Sequence, residues 1–303
     1  MDKASIILAG ATGNLGGRIA RAILKRGVNL RAFVRHGSDP DRVEALRKRG
    51  AEIAEVNFNS VSELTEACKG GSCVVSALCG LRDVIVETQT LLLDAAVKAG
   101  VPRFIPSDFS IDFTKVPYGT NRNLDLRREF HEHLDKAPIA ATSILNGGFT
   151  DLLTGEAPFI LFKFKRVLCW ENADQLMDFT TIDDTANFTA AAALDSTTPR
   201  FLRIAGDQIS ARGLAEVVSE VTGEKFRLFR PGGLKRLAIL IKITRAILPK
   251  SNTLYPPWQG MQYMHNMFSG QAKLEPLDND RYPGMQWKTA RDVLAAYLAS
   301  NLG

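Results

Sequence analysis

Two kinds of apolar pattern alternate along the first 150 residues. Short, partly β-branched runs such as Ser5 to Ala9 are bounded by glycines or polar turns and read as buried parallel strands. Between them, apolar residues recur three or four apart, as at Leu15, Ile19 and Ile23, and mark one face of a helix. This predicts strands at 5–9, 29–35, 52–58, 73–78 and 101–106. Helices follow the first strand and fill 39–49, 61–69 and 84–99. Lys25-Arg26-Gly27 closes the first helix with cations and a terminal glycine, and Asp39-Pro40 opens the second. Strict strand–helix alternation calls for an α/β fold with a doubly wound parallel sheet.

Beyond residue 105 the pattern loosens. A Pro/Gly/Asn-rich stretch at 111–121 reads as a loop, 123–135 as a charged helix and 140–145 as a strand ending in Asn146-Gly147-Gly148-Phe149. A helix is expected to start at Asp183 or Asp184, and others at 210–222, 234–248 and 288–302. Segment 234–248 mixes Leu and Ile with Lys235, Arg236, Lys242 and Arg245, which suits a helix packed by one face on its own protein or lying on an anionic membrane. Met261, Met264, Met267 and Phe268 recur at roughly helical spacing, either as core or as the wall of a pocket for a flat apolar molecule.

The first strand meets Gly10, Gly13 and Gly16 directly, and a helix follows. The first glycine permits a tight turn, the second lets backbone approach a pyrophosphate, and the third lets the helix lie close on the sheet. The helix N-terminus offers unpaired N–H groups to phosphates, so Gly10, Thr12, Gly13, Asn14, Leu15 and Gly16 are candidate dinucleotide ligands. The second strand ends in Arg35-His36 where an NAD site would carry an acid for the ribose 2′-OH. A cation there pairs with a 2′-phosphate and favours NADP(H) over NAD(H). The remaining strand tips add Asn57 and Phe58 for adenine and Ser76 and Ala77 for the ribose and diphosphate; the fifth tip adds Ser107 as a cofactor ligand, and Asp108 follows it.

Composition narrows the class. The 303 residues hold 45% hydrophobic side chains, enough for a sizeable core, and the net charge of +5 suits an anionic cofactor without arguing for direct nucleic-acid binding. Cys68, Cys73, Cys79 and Cys169 show no metal-ligand spacing, so no metal is expected. The Met1 end runs straight into the first strand and no transmembrane run occurs, so a cytoplasmic setting is expected.

Gly-Ala-Thr-Gly-Asn-Leu-Gly at 10–16, Phe-Val-Arg at 33–35, Arg-Phe-Ile-Pro-Ser-Asp-Phe at 103–109 and Asp-Phe-Thr-Thr-Ile-Asp-Asp-Thr-Ala at 178–186 resemble the NmrA-like and isoflavone reductase-like atypical short-chain dehydrogenases. The resemblance implies a Rossmann domain at 1–150. It also implies a smaller, partly discontinuous C-terminal substrate lobe at 151–303, with some segments returning to the first domain, and NADP(H) as cofactor. Reductases of that group carry a lysine on the helix after the fifth strand, and its position here is Arg127. An arginine keeps its proton, so it clamps an anion or a developing oxyanion but is a poor general acid. The other short-chain signature, Tyr-x-x-x-Lys, is half present as Tyr118 and Arg122. His131 and His133 share the helix with Arg127; His131 lies four residues on, either backing Arg127 or solvated.

Two functions follow as expectations. One is a reductase passing hydride to a small flat acceptor, a quinone, enone or phenylpropanoid-like molecule, seated over Phe149, Met261 and Met264. Arg127, Asp108 and Tyr118 are its candidate catalytic residues. The other is a non-catalytic NADP(H) sensor acting through a regulatory protein partner. Homodimerisation is open in either case.

Overall fold

The computed structural model describes residues 5–248 and 253–301. The chain divides into two compact units, one of Met1–Phe109, Leu126–Ile144 and Thr185–Leu202, the other of Ser110–Asp125, Leu145–Asp184 and Arg203–Gly303. The first unit is built on β1 (Ser5–Ala9), α1 (Asn14–Lys25), β2 (Leu30–Arg35), α2 (Pro40–Lys48), β3 (Glu52–Val56), α3 (Val61–Cys68), β4 (Gly71–Ser76), α4 (Gln89–Lys98) and β5 (Arg103–Ile105). Strand β6 (Ala140–Ala141) completes a six-stranded sheet in the order β3-β2-β1-β4-β5-β6, parallel throughout. This is a doubly wound, Rossmann-type sheet with β1 and β4 adjacent at its centre.

Side chains on the central strands explain why these runs fold as they do. Ile7, Phe33, Val74 and Phe104 are buried with Leu92, Leu93 and Phe130, and the rings of Phe104 and Phe130 lie 6.3 Å apart. Phe58, expected to line an adenine pocket, is buried in this same cluster. The helix expected at 84–99 opens instead with a π-helical segment, Asp83–Thr88, before α4. Its consequence is local: Gln89, fully buried, donates to Ile85 O and accepts from Ser107 N at 2.9 Å, tying α4 to the tip of β5. The single strand expected at 140–145 breaks at Thr142, giving β6 and then β7 (Ser143–Leu145).

In the second unit lie β8 (Gly148–Phe149), β9 (Ile160–Leu161), β10 (Arg166–Trp170) and β11 (Met177–Thr180). Most of α5 (Arg122–Leu134) and α6 (Ile182–Leu194) belongs to the first unit, and β12 (Phe201–Arg203) pairs with β7. The second unit continues with β13 (Asp207–Ile209), α7 (Ala211–Thr222), β14 (Arg227–Gly232), α8 (Leu234–Ile247), α9 (Pro257–Phe268) and α10 (Ala290–Asn301). Its strands form two small sheets, β14-β10-β9 and β13-β11-β8. The start of α6 corrects the expectation that Asp183 or Asp184 caps it. Thr181 Oγ1 accepts from Asp184 N at 3.0 Å, and the Asp184 carboxylate is used elsewhere, accepting from Lys288 N. The end of the helix expected at 288–302 lies outside the described residues, as do residues 1–4. Among the described residues no helix is long and apolar enough to cross a membrane.

Candidate active site

The turn from β1 to α1 is held by contacts that exclude side chains. Gly10 has φ +82°, and a Cβ there would stand 2.5 Å from Ala77 O just past β4; a Cβ on Gly16 would run into Gly10 O. Gly13 stands at the N-cap of α1 with extended backbone and no side-chain cap, and Gly13 N donates back to Gly10 O at 3.0 Å. The first helical amides, of Asn14, Leu15 and Gly16, therefore have no acceptor within the helix and lie at its positive dipole end. Beside this turn, between α1 and α2, is a cleft of ≈ 450 Å³ lined by Thr12, Gly13 and Asn14, by Ala45 and Leu46, and by four arginines, Arg18, Arg21, Arg42 and Arg49. Arg42 Nη1 donates to Thr12 O at 3.1 Å, joining α2 to the glycine turn. These arginines escape a strand-tip reading because they sit on helix faces.

At the end of β2, Arg35 is exposed and its carbonyl accepts from Ser38 N and Oγ, which fixes the turn behind it. Asn57 is exposed past β3, its Oδ1 accepting from Asn59 N. Ser76 is fully buried; Ala77 and Leu78 are the partly open residues at that tip. Ser107 Oγ donates to Leu78 O at 2.7 Å, which holds the β4 and β5 tips together.

Asp108 ends this tip without any exposure, and Nε2 of His131 lies 2.6 Å from its Oδ2. On the far side of the imidazole, Arg200 Nη2 is 3.0 Å from Nδ1. A guanidinium has only hydrogens to offer, so Nδ1 is the acceptor, and Nε2 carries the proton that it donates to Asp108. Arg200 also donates to Ser143 Oγ at 2.7 Å and pairs with Asp135 at 2.8 Å. Burial alone raises the Asp108 carboxyl, but the pull of His131, hydrogen bonds from His131 and Ser143, and the charge of Arg127 outweigh it and hold Asp108 below the usual carboxylate range. Thus His131 is an inward residue with a buried partner, not a solvated one, while His133 faces solvent.

Arg127 is half-buried on α5, one turn before His131. Its charge also acts on Cys79 beyond β4, whose thiol burial pushes up and Arg127 pulls down. Arg127 is therefore a cation whose charge reaches the β4 and β5 tips.

Tyr118 is 71% exposed in the loop before α5, so the Tyr118–Arg122 spacing lacks the shared helix that would face both side chains one way. Arg122 is occupied elsewhere in the second unit, donating to Leu254 O at 2.7 Å and lying 4.8 Å above the Trp258 ring. In that unit Phe149 is half-buried, Met264 is buried and Met261 is half-buried. The methionine pattern hid a polar face of α9. Gln259 Nε2 donates to Asn121 Oδ1 at 2.7 Å, Asn121 Nδ2 donates to Asn266 Oδ1, and Gln262 Oε1 accepts from Arg122 N. Just past β7, Asn146 is fully buried with no hydrogen-bond partner for its Oδ1 or Nδ2 among the described residues.

The sequence model of the NmrA-like family matches residues 2–254. The chain belongs to the NmrA-like family. It is 28% identical over 211 residues to pinoresinol reductase 1 of Arabidopsis thaliana, covering 65% of this chain and 67% of that protein. It is 25% identical to a bifunctional pinoresinol-lariciresinol reductase of Linum perenne over 98% of this chain and all of the relative. Among solved structures, AtPrR2 with NADP+ and (+)pinoresinol superposes with a TM-score of 0.81 at 23% identity, covering 98% and 99% of the two chains. The binary complex of leucoanthocyanidin reductase with NADPH from Vitis vinifera gives 0.80 at 18%, covering 97% and 99%. These likenesses bear out the α/β doubly wound fold of this NmrA-like chain.

Proposed function

We propose that this chain is an NADP(H)-dependent reductase that passes hydride to a small flat acceptor of the phenylpropanoid, quinone or enone type. The observation that carries the cofactor half is the uncapped N-terminus of α1 behind Gly13, beside a cleft lined by arginines. The contacts around Gly10 and Gly16 leave no room for side chains, which fits a backbone cradle for a pyrophosphate. Arg35 and Arg42 would take a 2′-phosphate. The reductase half is supported by the relatives, pinoresinol and pinoresinol-lariciresinol reductases over two thirds or more of their length.

When bound, the nicotinamide supplies the hydride. The chain's own contribution is electrostatic. Arg127 is a permanent cation suited to stabilising an oxygen that gains charge as the acceptor is reduced. Asp108, kept ionised by His131, gives Arg127 a negative charge nearby. Neither Arg127 nor an ionised Asp108 is a ready proton donor at neutral pH. That favours acceptors whose reduced form is a stabilised anion, quinones and enones over isolated ketones. The test is oxidation of NADPH by the purified protein with quinones, enones and pinoresinol-type lignans in turn. Tight NADPH binding with no turnover of any acceptor would favour instead a redox sensor working through a protein partner.

A further inference from the structure

Between Glu224 and Glu275 the sequence contains no Asp or Glu, yet it holds nine Lys or Arg residues. The net charge of the whole chain is only +5, so the rest is net negative and this stretch is a segregated basic segment. Within it, α8 carries four cations and no acid, and it packs by one face only. Leu237 is fully buried, and Thr244 on the same side meets Met261 of α9. On the opposite face, Ile239, Ile243 and Ile247 are spaced one turn apart and are 57%, 50% and 72% exposed. Lys235 and Lys242 flank this stripe on one side, and Arg236 stands in line with it one turn before Ile239, donating to Pro231 O; all three are exposed. The preceding edge strand β14 extends the same chemistry with Phe229, 45% exposed, between the exposed Arg227 and Arg230.

We propose that α8, with Phe229, docks this protein peripherally on an anionic phospholipid surface. Exposed isoleucines at every turn are unfavourable in water and gain by entering the acyl–headgroup boundary. Flanking Lys and Arg stems reach back from that depth to lipid phosphates and carboxylates. Charge decides the occupant: a second copy would set one basic segment against another, whereas an anionic bilayer offers both an apolar layer and opposite charge. Fourteen residues with four cations lie in the interface plane and do not span it.

The experiment is sedimentation of the full-length protein with vesicles of phosphatidylcholine alone and of phosphatidylcholine with phosphatidylserine. Binding to the phosphatidylserine vesicles only, weakened by salt, is expected. The double variant Ile239→Glu/Ile243→Glu and the charge reversal Lys235→Glu/Lys242→Glu should each lower binding by at least about tenfold. Both should keep the wild-type circular dichroism and NADPH affinity, since all four side chains are exposed. Equal retention on both vesicle types, no sedimentation with phosphatidylserine, or a solution dimer dissociated by Ile239→Glu/Ile243→Glu would each overturn the proposal.

Discussion

His131 holds the Asp108 carboxylate through a hydrogen bond of 2.6 Å, with Asp108 wholly buried and His131 nearly so. Arg200, accepted by Nδ1, fixes which ring nitrogen carries the proton. The pair places a carboxylate at the tip of β5 without letting it turn toward water. Removing the imidazole takes a hydrogen bond from a buried charge, so His131→Ala should cost about 1.5–3 kcal/mol in denaturant unfolding. Loss of less than about 1 kcal/mol would show that Asp108 does not depend on the ring.

The same pair sets a pH dependence. Asp108 is held below its ordinary value, so the unfolded chain binds more protons than the folded one between the two values. Its contribution is therefore complete above the unfolded carboxylate value of about 4 and is lost as pH falls through the lower folded value. Asp108→Asn should flatten the acid limb of the stability profile below about pH 4. An unchanged limb in chemical denaturation at a series of acid pH values would assign it to other carboxylates.

Arg127→Ala should lower turnover with a competent acceptor by about a hundredfold while NADPH affinity changes little, as expected when a transition-state contact is lost. Steady-state kinetics and fluorescence titration separate the two. A rise in the NADPH dissociation constant that accounts for the whole loss would make Arg127 a cofactor ligand instead.

Much of this could be read before any coordinates, for a definite reason. Glycines 10, 13 and 16 and the strands from Ile6 to Phe104 follow local rules of turn geometry and apolar period, which a sequence displays directly. Asp108 and His131 are 23 residues apart, and Arg200 is 69 from His131; only the tertiary fold joins them. An i, i+4 reading linked His131 to Arg127 on its own helix and overlooked the strand tip beneath it. The α9 amides were masked for a related reason: Met261, Met264 and Met267 drew attention to one face while Gln259, Gln262 and Asn266 pack on another. Arg42 was invisible because its link to Thr12 bridges a turn and a helix.

Arg35→Ala and Arg42→Ala should each weaken NADPH binding by about tenfold or more and leave NADH binding nearly unchanged, the signature of a charge-assisted contact to the 2′-phosphate. Equal losses for both dinucleotides would place these arginines at the pyrophosphate.

Cys68 and Cys73 are buried, their thiols pushed up to about 12, and Cys169 is buried too, whereas Cys79 is exposed. A thiol reagent should label Cys79 alone in the native protein, and all four cysteines after denaturation.

Turnover measured directly tests reduction driven by NADPH. The protein is titrated with NADPH and NADH, and then oxidation of NADPH is followed against quinones, enones and lignans. Preferential NADPH binding is expected, with acceptor-dependent oxidation that falls sharply in Arg127→Ala. NADPH bound tightly but never oxidised, whatever the acceptor, would contradict it.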